Sequence, residues 1–412
     1  MTGKVLLFHP GVQHSWQTAA ALQRLGALEY FATSLFYKPD AWPYRLERLP
    51  GPLGRRLAAE FRRVATPAID PALVRTAPTI ELLERLAGRA NLHRLQGVLD
   101  RCGNDRIVRL LASDIRSARD FTVWGYNNSS GTTFELARAH ERACVLDRTN
   151  GDFRAYNLAM TALQERYGEW FLASEAAVSQ QVIEREAREH ALADRILVGS
   201  HFAAQTVREH AETPEIATKV EVLEYCYDAL AFADLPPPRP ARRGEPVRFL
   251  FLGLVIPRKG IHHVIEAIAQ LPPSEATLTI VGKVGVPAAM LAPYEDRVTY
   301  FPTVPRADVA AIMARHDVLL FPSYFEGAGI VLYEALAAGM GLIQSRNAAL
   351  AVTADTGDLL EDISTEALLA AMRRVIDDRE LLAHWRMSAP AAAQRYDFNG
   401  YVERIGKVVA SL

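Results

Sequence analysis

The chain has 412 residues, half of them hydrophobic and 23% charged, with 46 basic residues against 48 acidic ones. That composition excludes disorder as the dominant state and supplies enough apolar material for two or three domains. A net charge of −2 and a pI near 6.6 exclude strong non-specific binding to nucleic acid, which needs a large positive excess. Cys102, Cys144 and Cys226 are far apart and odd in number, so neither a disulfide framework nor a closely spaced zinc site is expected, and reduced thiols in cytosol fit best.

The first apolar run, Val5–Phe8, is too short for a secretory signal, and the longest, Phe249–Ile256, falls far below the ~20 residues that cross a bilayer. A soluble, cytoplasmic protein is the expectation. Val5–Phe8 stops at His-Pro-Gly, and Gln17–Leu25 then carries helical spacing, which reads as strand, loop, helix. Residues 43–67 interleave Arg45, Arg48, Arg55, Arg56, Arg62 and Arg63 with Leu46, Leu49, Leu53, Leu57 and Phe61. Such a basic amphipathic segment suggests peripheral contact with an anionic membrane; the alternative is a helix whose apolar side packs on its own domain. Pro50 and Pro52 interrupt the run.

Further strands are expected at Phe121–Gly125, Cys144–Leu146, Phe171–Ala173, Arg195–Val198 and Val220–Leu223. Then come five prolines within the 14 residues 233–246, a stiff polar segment that suits a domain boundary. Beyond it the opening unit starts again: Val247–Leu254 is an apolar run, Pro257-Arg-Lys-Gly260 a loop, and Ile261, Val264, Ile265 and Ile268 a helical face. Strands follow at Ala276–Val281, Arg297–Phe301, Val318–Phe321 and Gly341–Gln344. Alternating strands and helices argue for two α/β domains, 1–232 and 247–395, each a doubly wound parallel sheet, with ligands beyond the carboxyl ends of the strands. Residues 396–412 close the chain as an amphipathic helix candidate.

The most informative stretch is Phe321-Pro-Ser-Tyr-Phe-Glu-Gly-Ala-Gly-Ile-Val-Leu-Tyr-Glu334. A small-residue loop leading into a helix offers backbone N–H groups to an anion or to sugar oxygens. Glu326 and Glu334 lie eight residues apart, about 12 Å of rise if all were helical, so local geometry does not make them a close acid/base pair. They suit two parts of one elongated ligand, or, in the plainer reading, a helix cap and a solvated helix charge.

This Glu-x7-Glu segment, followed by Ala-Leu-Ala-Ala-Gly339 and taken with Leu252-Gly-Leu-Val-Ile-Pro-Arg-Lys-Gly260, resembles the signature of family 4 retaining glycosyltransferases. The resemblance covers most of residues 190–412. It implies the GT-B fold, two Rossmann-like domains around a cleft, with a nucleotide-sugar donor held by the second domain and the last helix crossing back to the first. It also implies that Glu326 and the amides of Gly327, Ala328, Gly329 and Ile330 contact the donor sugar, that Glu334 contacts the ribose, and that Lys259 binds the diphosphate. Two departures stand out: Leu254 occupies a position where many members carry Arg, leaving Arg258 as a substitute, and Gly341 stands where Pro is usual. Gly282 and Val304 are weaker donor-side candidates.

On the acceptor side the resemblance points to the loop holding Gly11 and His14, with His9 beside them, and to Asp147 as a catalytic-site residue. The turn after Trp124 adds Asn127, Asn128, Ser129 and Ser130, which offer sugar-type hydrogen bonds, with Tyr126 as a stacking face. That turn reads equally as a helix-capping turn. The implied reaction is transfer with retention to a sugar or glycolipid hydroxyl, with no protein nucleophile, no metal and no cofactor besides the donor. Bacterial surface-polysaccharide assembly is the implied setting. Alternatives are a GT-B phosphorylase or epimerase, or a partner subunit that binds sugar nucleotide without turnover, for which Leu254 is the sequence support.

Overall fold

The computed structural model describes residues 3–11, 14–42, 44–62, 66–76, 106–172, 177–239 and 244–412. Among them, thirteen strands form two sheets. The first holds β1 (Val5–His9), β2 (Leu28–Thr33), β3 (Val74–Thr76), β4 (Thr122–Tyr126), β5 (Cys144–Arg148), β6 (Arg195–Val198) and β7 (Val220–Val222), in the order β3-β2-β1-β4-β5-β6-β7. The second holds β8 (Val247–Leu252), β9 (Ala276–Val281), β10 (Val298–Phe301), β11 (Val318–Phe321), β12 (Gly341–Gln344) and β13 (Gly357–Leu359), in the order β10-β9-β8-β11-β12-β13. All five pairings of the second sheet are parallel, as are those joining β3, β2, β1, β4 and β5 in the first. Each sheet grows outward one way and then reverses, so each is doubly wound and Rossmann-like. A switch point lies between β1 and β4 in one and between β8 and β11 in the other.

The second sheet shows why its strands read as near-continuous apolar runs. Phe249, Phe251, Val318 and Leu320 pack into one core with Val264, Ile265, Ile268 and Trp385. The alternate residues Leu250, Leu319 and Phe321 pack into another with Leu332 and Leu336. Both faces are covered, so both positions of the two-residue repeat are apolar. One compact unit comprises Met1–Arg148, Glu184–Leu197 and Val402–Leu412; the other comprises Thr149–Ile183 and Val198–Tyr401.

Three strands were not expected from sequence: β2, β3 and β13. One expected strand is absent. Where Phe171–Ala173 was read as a strand, Gly168–Trp170 forms a 3-10 turn and Phe171 and Leu172 follow in irregular backbone; Ala173 lies outside the described residues. The apolar character there serves side-chain packing instead. Trp170 enters the core of the second sheet, and Phe171 packs with Met160, Leu163 and Phe325.

The basic segment folds as a 3-10 turn, Tyr44–Arg48, and a helix, Pro52–Arg62, with Pro52 in the first helical position, where its missing N–H costs nothing. Tyr44 and Phe61 are buried with Leu35, and Leu46 and Leu57 pack against them. The described apolar side chains thus mostly serve their own core, as the plainer reading expected, although Leu49 stays exposed. Arg63 and the side chains of Leu53 and Arg62 lie outside the described residues.

A buried ion cluster ties the proline-rich segment to the second sheet. Asp317 accepts hydrogen bonds from Arg248 N and Nε at Oδ2 (both 2.9 Å) and from Nη2 at Oδ1 (2.8 Å), and Arg386 Nη1 lies 2.6 Å from the same Oδ1. Arg386 also donates to the carbonyls of Gly339 and Arg239. Arg386 is fully buried, so removing its counter-charge strands a guanidinium in the core. Asp317→Ala is expected to cost about 3–5 kcal/mol, whereas Arg248→Ala, which removes the half-exposed partner, is expected to cost about 1 kcal/mol. Urea denaturation of the two variants checks the difference.

Candidate functional site

The site forms at the switch point of the second sheet. β8 gives way at Gly253, just past Leu252, and the chain returns through a bridge between Val255 and Val284 to a 3-10 turn at Pro257–Lys259. Gly253 and Gly282, at the ends of β8 and β9, have φ of 148° and 150°. A Cβ on Gly282 would stand 1.8 Å from the Gly253 carbonyl oxygen, so only glycine lets the two backbones close here. β11 ends at Phe321 and feeds residues 322–330, which lie against the first loop: Tyr324 N donates to the Arg258 carbonyl (2.8 Å), and Arg258 Nη1 donates to the Phe325 carbonyl.

Three charged groups converge between these loops. Lys259 Nζ pairs with Glu326 Oε2, and Arg258 Nη1 lies 3.5 Å from the same oxygen. Arg258 and Lys259 are adjacent in sequence, yet both reach one carboxylate, because the tight turn between Pro257 and Gly260 sends them the same way. The ammonium also sits 5.0 Å from the Phe321 ring centroid. Burial pushes the Lys259 pKa down, Glu326 opposes that shift, and Arg258 adds to it. The ammonium is therefore a partly desolvated cation that gains strongly from a second negative charge.

After Glu326 the chain approaches other backbone closely. A Cβ on Gly327 would lie 1.9 Å from the Thr149 carbonyl oxygen, and Ser200 Oγ donates to the Gly327 carbonyl. The helix Val331–Ala337 opens with Leu332 N bonding Gly329 O (2.9 Å) and Glu334 N bonding Ile330 O (3.1 Å), so the amides of residues 327–330 stand ahead of its ladder. Ile330 takes the N-cap position without a side-chain cap, which removes the helix-cap reading of Glu326. Glu334 is 2% exposed and so is no solvated helix charge. Its carboxylate pairs with Arg306, at the turn after β10, while Val304 packs against the core that holds Ile330 and Val331. Burial raises the Glu334 pKa, Arg306 lowers it, and Asp228 raises it further.

Behind the Glu326 loop runs a buried polar relay. Thr365 Oγ1 donates to Glu266 (2.6 Å), His263 Nδ1 lies 2.8 Å from Thr365 Oγ1, and His263 Nε2 lies 2.7 Å from the Tyr324 hydroxyl. Thr365 spends its hydroxyl proton on Glu266, and the Tyr324 hydroxyl also reaches the Ile363 carbonyl (3.1 Å), so both faces of the His263 ring are held by hydroxyls anchored elsewhere. His262 is fully buried beside the rings of Tyr167 (4.3 Å), Trp170 (5.8 Å) and Tyr324 (6.0 Å). Burial lowers the pKa of His262 to about 3 and that of His263 to about 4.

The residues expected on the acceptor side belong to the other unit and gather at its own switch point. His9 ends β1, with Gly11 N donating to its Nδ1 (3.0 Å) and its ring 4.9 Å from Tyr126. Burial lowers the pKa of both His9 and His14 to about 4, so both rings are neutral at pH 7. Asn127 follows β4 and donates its N–H to the Asp147 carbonyl (3.1 Å) of β5; the Asp147 side chain is fully buried.

Three expectations change here. Tyr126 is buried, with its hydroxyl on Thr18 (2.8 Å), and offers no stacking face. The hydroxyls of Ser129 and Ser130 donate to the Tyr126 carbonyl (3.0 and 2.6 Å), which takes them from a sugar. The next helix, Gly131–Arg138, is capped by neither. Glu189, distant in sequence, accepts from the amides of Asn128 (2.7 Å), Ser130 (2.8 Å) and Gly131 (3.1 Å). Glu189, Arg306, His263 and Tyr324 escaped sequence reasoning. Each acts through a contact across the fold, and no spacing in the sequence announces it.

Residues 237–391 match the family described as Glycosyl transferases group 1. Over 163 residues, 37% of this chain and 43% of the relative, the chain is 32% identical to the lipopolysaccharide glucosyltransferase WaaG of Escherichia coli (strain K12). Over 164 residues, 37% of each protein, it is 32% identical to glycogen synthase of Mycobacterium tuberculosis. The chain thus spans less than half the length of these curated relatives. In three dimensions it is similar to HepE of Anabaena, whose crystal structure was determined in complex with UDP, with a TM-score of 0.62 and 15% identity over 99% of this chain and 100% of that one. With the two Rossmann-like sheets, this gives the fold as GT-B.

The buried histidines make a pH prediction. His9, His262 and His263 have folded pKa values of about 4, 3 and 4, below the ordinary 6.5. Between those values the unfolded chain binds more protons than the folded one. Stability is therefore expected to fall as pH drops from about 6.5 toward 4, by up to about 1.4 kcal/mol per pH unit for each histidine. Denaturant midpoints across that range check this; a flat profile would contradict neutral burial.

Proposed function

We propose that this chain is a family 4 retaining glycosyltransferase, moving a hexose-type sugar from a nucleoside-diphosphate sugar to an acceptor hydroxyl on a glycan, glycolipid or small molecule. Bacterial polysaccharide or glycoconjugate synthesis is the proposed setting. The observation that carries the reading is the convergence of Lys259 and Arg258 on Glu326 at the switch point of the second sheet. In the proposed complex the diphosphate takes over the two cations, and Glu326 and the amides of residues 327–330 turn to the sugar hydroxyls. The ribose hydroxyls bond Glu334. The crystallised partner of HepE makes UDP the first nucleotide to test.

The acceptor oxygen attacks the anomeric carbon on the face the diphosphate leaves. The bond from that carbon to phosphate oxygen breaks, and a leaving phosphate oxygen takes the acceptor's proton. The charge that accumulates on the departing diphosphate falls to Lys259 and Arg258, which makes the proposed reaction independent of metal. Asp147, Asn127, Gly11 and His14 are the proposed acceptor-side residues. A silent sugar-nucleotide binding subunit is the competing reading, since Leu254, 47% exposed, supplies no cation. That Arg258 reaches the same carboxylate as Lys259 favours turnover.

Lys259→Ala and Glu326→Ala are each expected to reduce transfer by orders of magnitude, and Lys259→Ala to weaken nucleotide binding. Initial rates with UDP-sugars and an acceptor panel check this, and NMR of the product's anomeric proton checks retention. Wild-type turnover in Lys259→Ala would remove the electrostatic mechanism. Peripheral membrane contact is part of the proposal, because Arg45, Arg48, Arg55 and Arg56 are exposed beside exposed Leu49. Sedimentation with phosphatidylglycerol vesicles, lost when these arginines become serine, is the expected outcome; equal sedimentation of the variant would refute that contact.

A further inference from the structure

We infer that Arg306 is a donor-recognition residue that forms, with Glu334, a two-part ribose-reading pair. The inference rests on the assignment of the ribose to Glu334 made above. Glu334 is nearly fully buried, and its Oε1 is held by Arg306 Nη2. Among the described residues the carboxylate has no other side-chain or backbone donor, so Oε2 remains an acceptor. Arg306 is the converse. Its side chain is 66% exposed, and the bond to Glu334 is its only hydrogen bond among the described residues. The remaining guanidinium N–H groups are free donors beside a free acceptor.

That combination matches a vicinal diol next to a phosphate. One hydroxyl donates to Oε2 of Glu334, and the second accepts from, or a phosphate oxygen pairs with, the guanidinium. The placement is built by the fold. Val304, two residues before Arg306, packs against the core that carries Ile330 and Val331, so the turn after β10 is fixed against the start of the helix bearing Glu334. Arg306 also answers an electrostatic need. Burial and Asp228 both disfavour the Glu334 carboxylate, and Arg306 is the group that opposes them. Without Arg306 the carboxylate is a poorer acceptor, and the pocket loses its donor half as well.

The alternative is that Arg306 merely plugs an empty pocket and must leave for nucleotide to enter. The two arrangements predict opposite signs. Calorimetry would use wild type, Arg306→Ala and Arg306→Lys with UDP, GDP and ADP and with their 2′-deoxy counterparts. The expected result is that wild type prefers the ribonucleotide, that Arg306→Ala binds it about tenfold or more weakly with the ribo/deoxy preference reduced toward one, and that Arg306→Lys recovers part of the affinity. An Arg306→Ala protein that binds as tightly as wild type or more tightly, with the preference intact, would overturn the inference and leave the donor site standing. Wild type that binds none of the three diphosphates would overturn the donor-site reading itself. A melting temperature within a few degrees of wild type, expected for an exposed side chain, separates lost recognition from lost folding.

Discussion

The Glu326 carboxylate sits between two cations that would otherwise repel each other. Arg258 and Lys259 follow one another in a tight turn, and Lys259 is largely withdrawn from water. Glu326 therefore holds the loop after β8 against the loop after β11. In the proposed cycle the diphosphate supplies negative charge in its place, so the same cations stabilise the resting pocket and the departing nucleotide. The exchange keeps the buried charge compensated at every stage, which a lone lysine facing an empty pocket would not achieve.

The rest of the unit holds that arrangement stiff. Gly253 and Gly282 let β8 and β9 end in contact, the Thr365–His263–Tyr324 relay braces the loop one residue before Phe325, and Phe325 itself packs edge-on against Tyr156 and Phe202. Burial lowers the pKa of His263 to about 4, so the ring stays neutral and the relay persists across the ordinary pH range. Glu189 plays the matching part in the other unit, filling the amides that open the Gly131–Arg138 helix and so fixing the turn that carries Asn127.

Most of the fold was legible in the sequence because both faces of each sheet are covered. β9, β11 and β12 coincide with the apolar runs from which they were expected, and β8 does so within two residues. What was missed has physical causes. β3 has one buried residue, Val74; β13 is Gly-Asp-Leu, with little strand propensity of its own; β2 begins two residues after the Gly26 helix stop (φ 67°) and carries Glu29 inside its apolar run. Phe171 misled because an apolar side chain can serve a core from irregular backbone. In the site, motif spacing put Lys259, Arg258 and Glu326 in view, but the ion pair among them, like the pairing of Arg306 with Glu334, depends on residues brought from 67 and 28 positions away.

The close approach of Thr149 to Gly327 has a further reach. Thr149 and Ser200 press on the backbone of Gly327, Gly199 sits close against the Ala328 side chain, Phe202 and Tyr156 cover Phe325, and Trp170 enters the core beneath β8. These residues all precede the proline-rich segment, yet they share one compact unit with the loop they support. A chimera joined to a homologue at that segment would therefore replace the glycine loop's own scaffold with foreign side chains. Grafts that carry Thr149–Ile183 and the stretch from Val198 onward together would transplant the pocket with its walls.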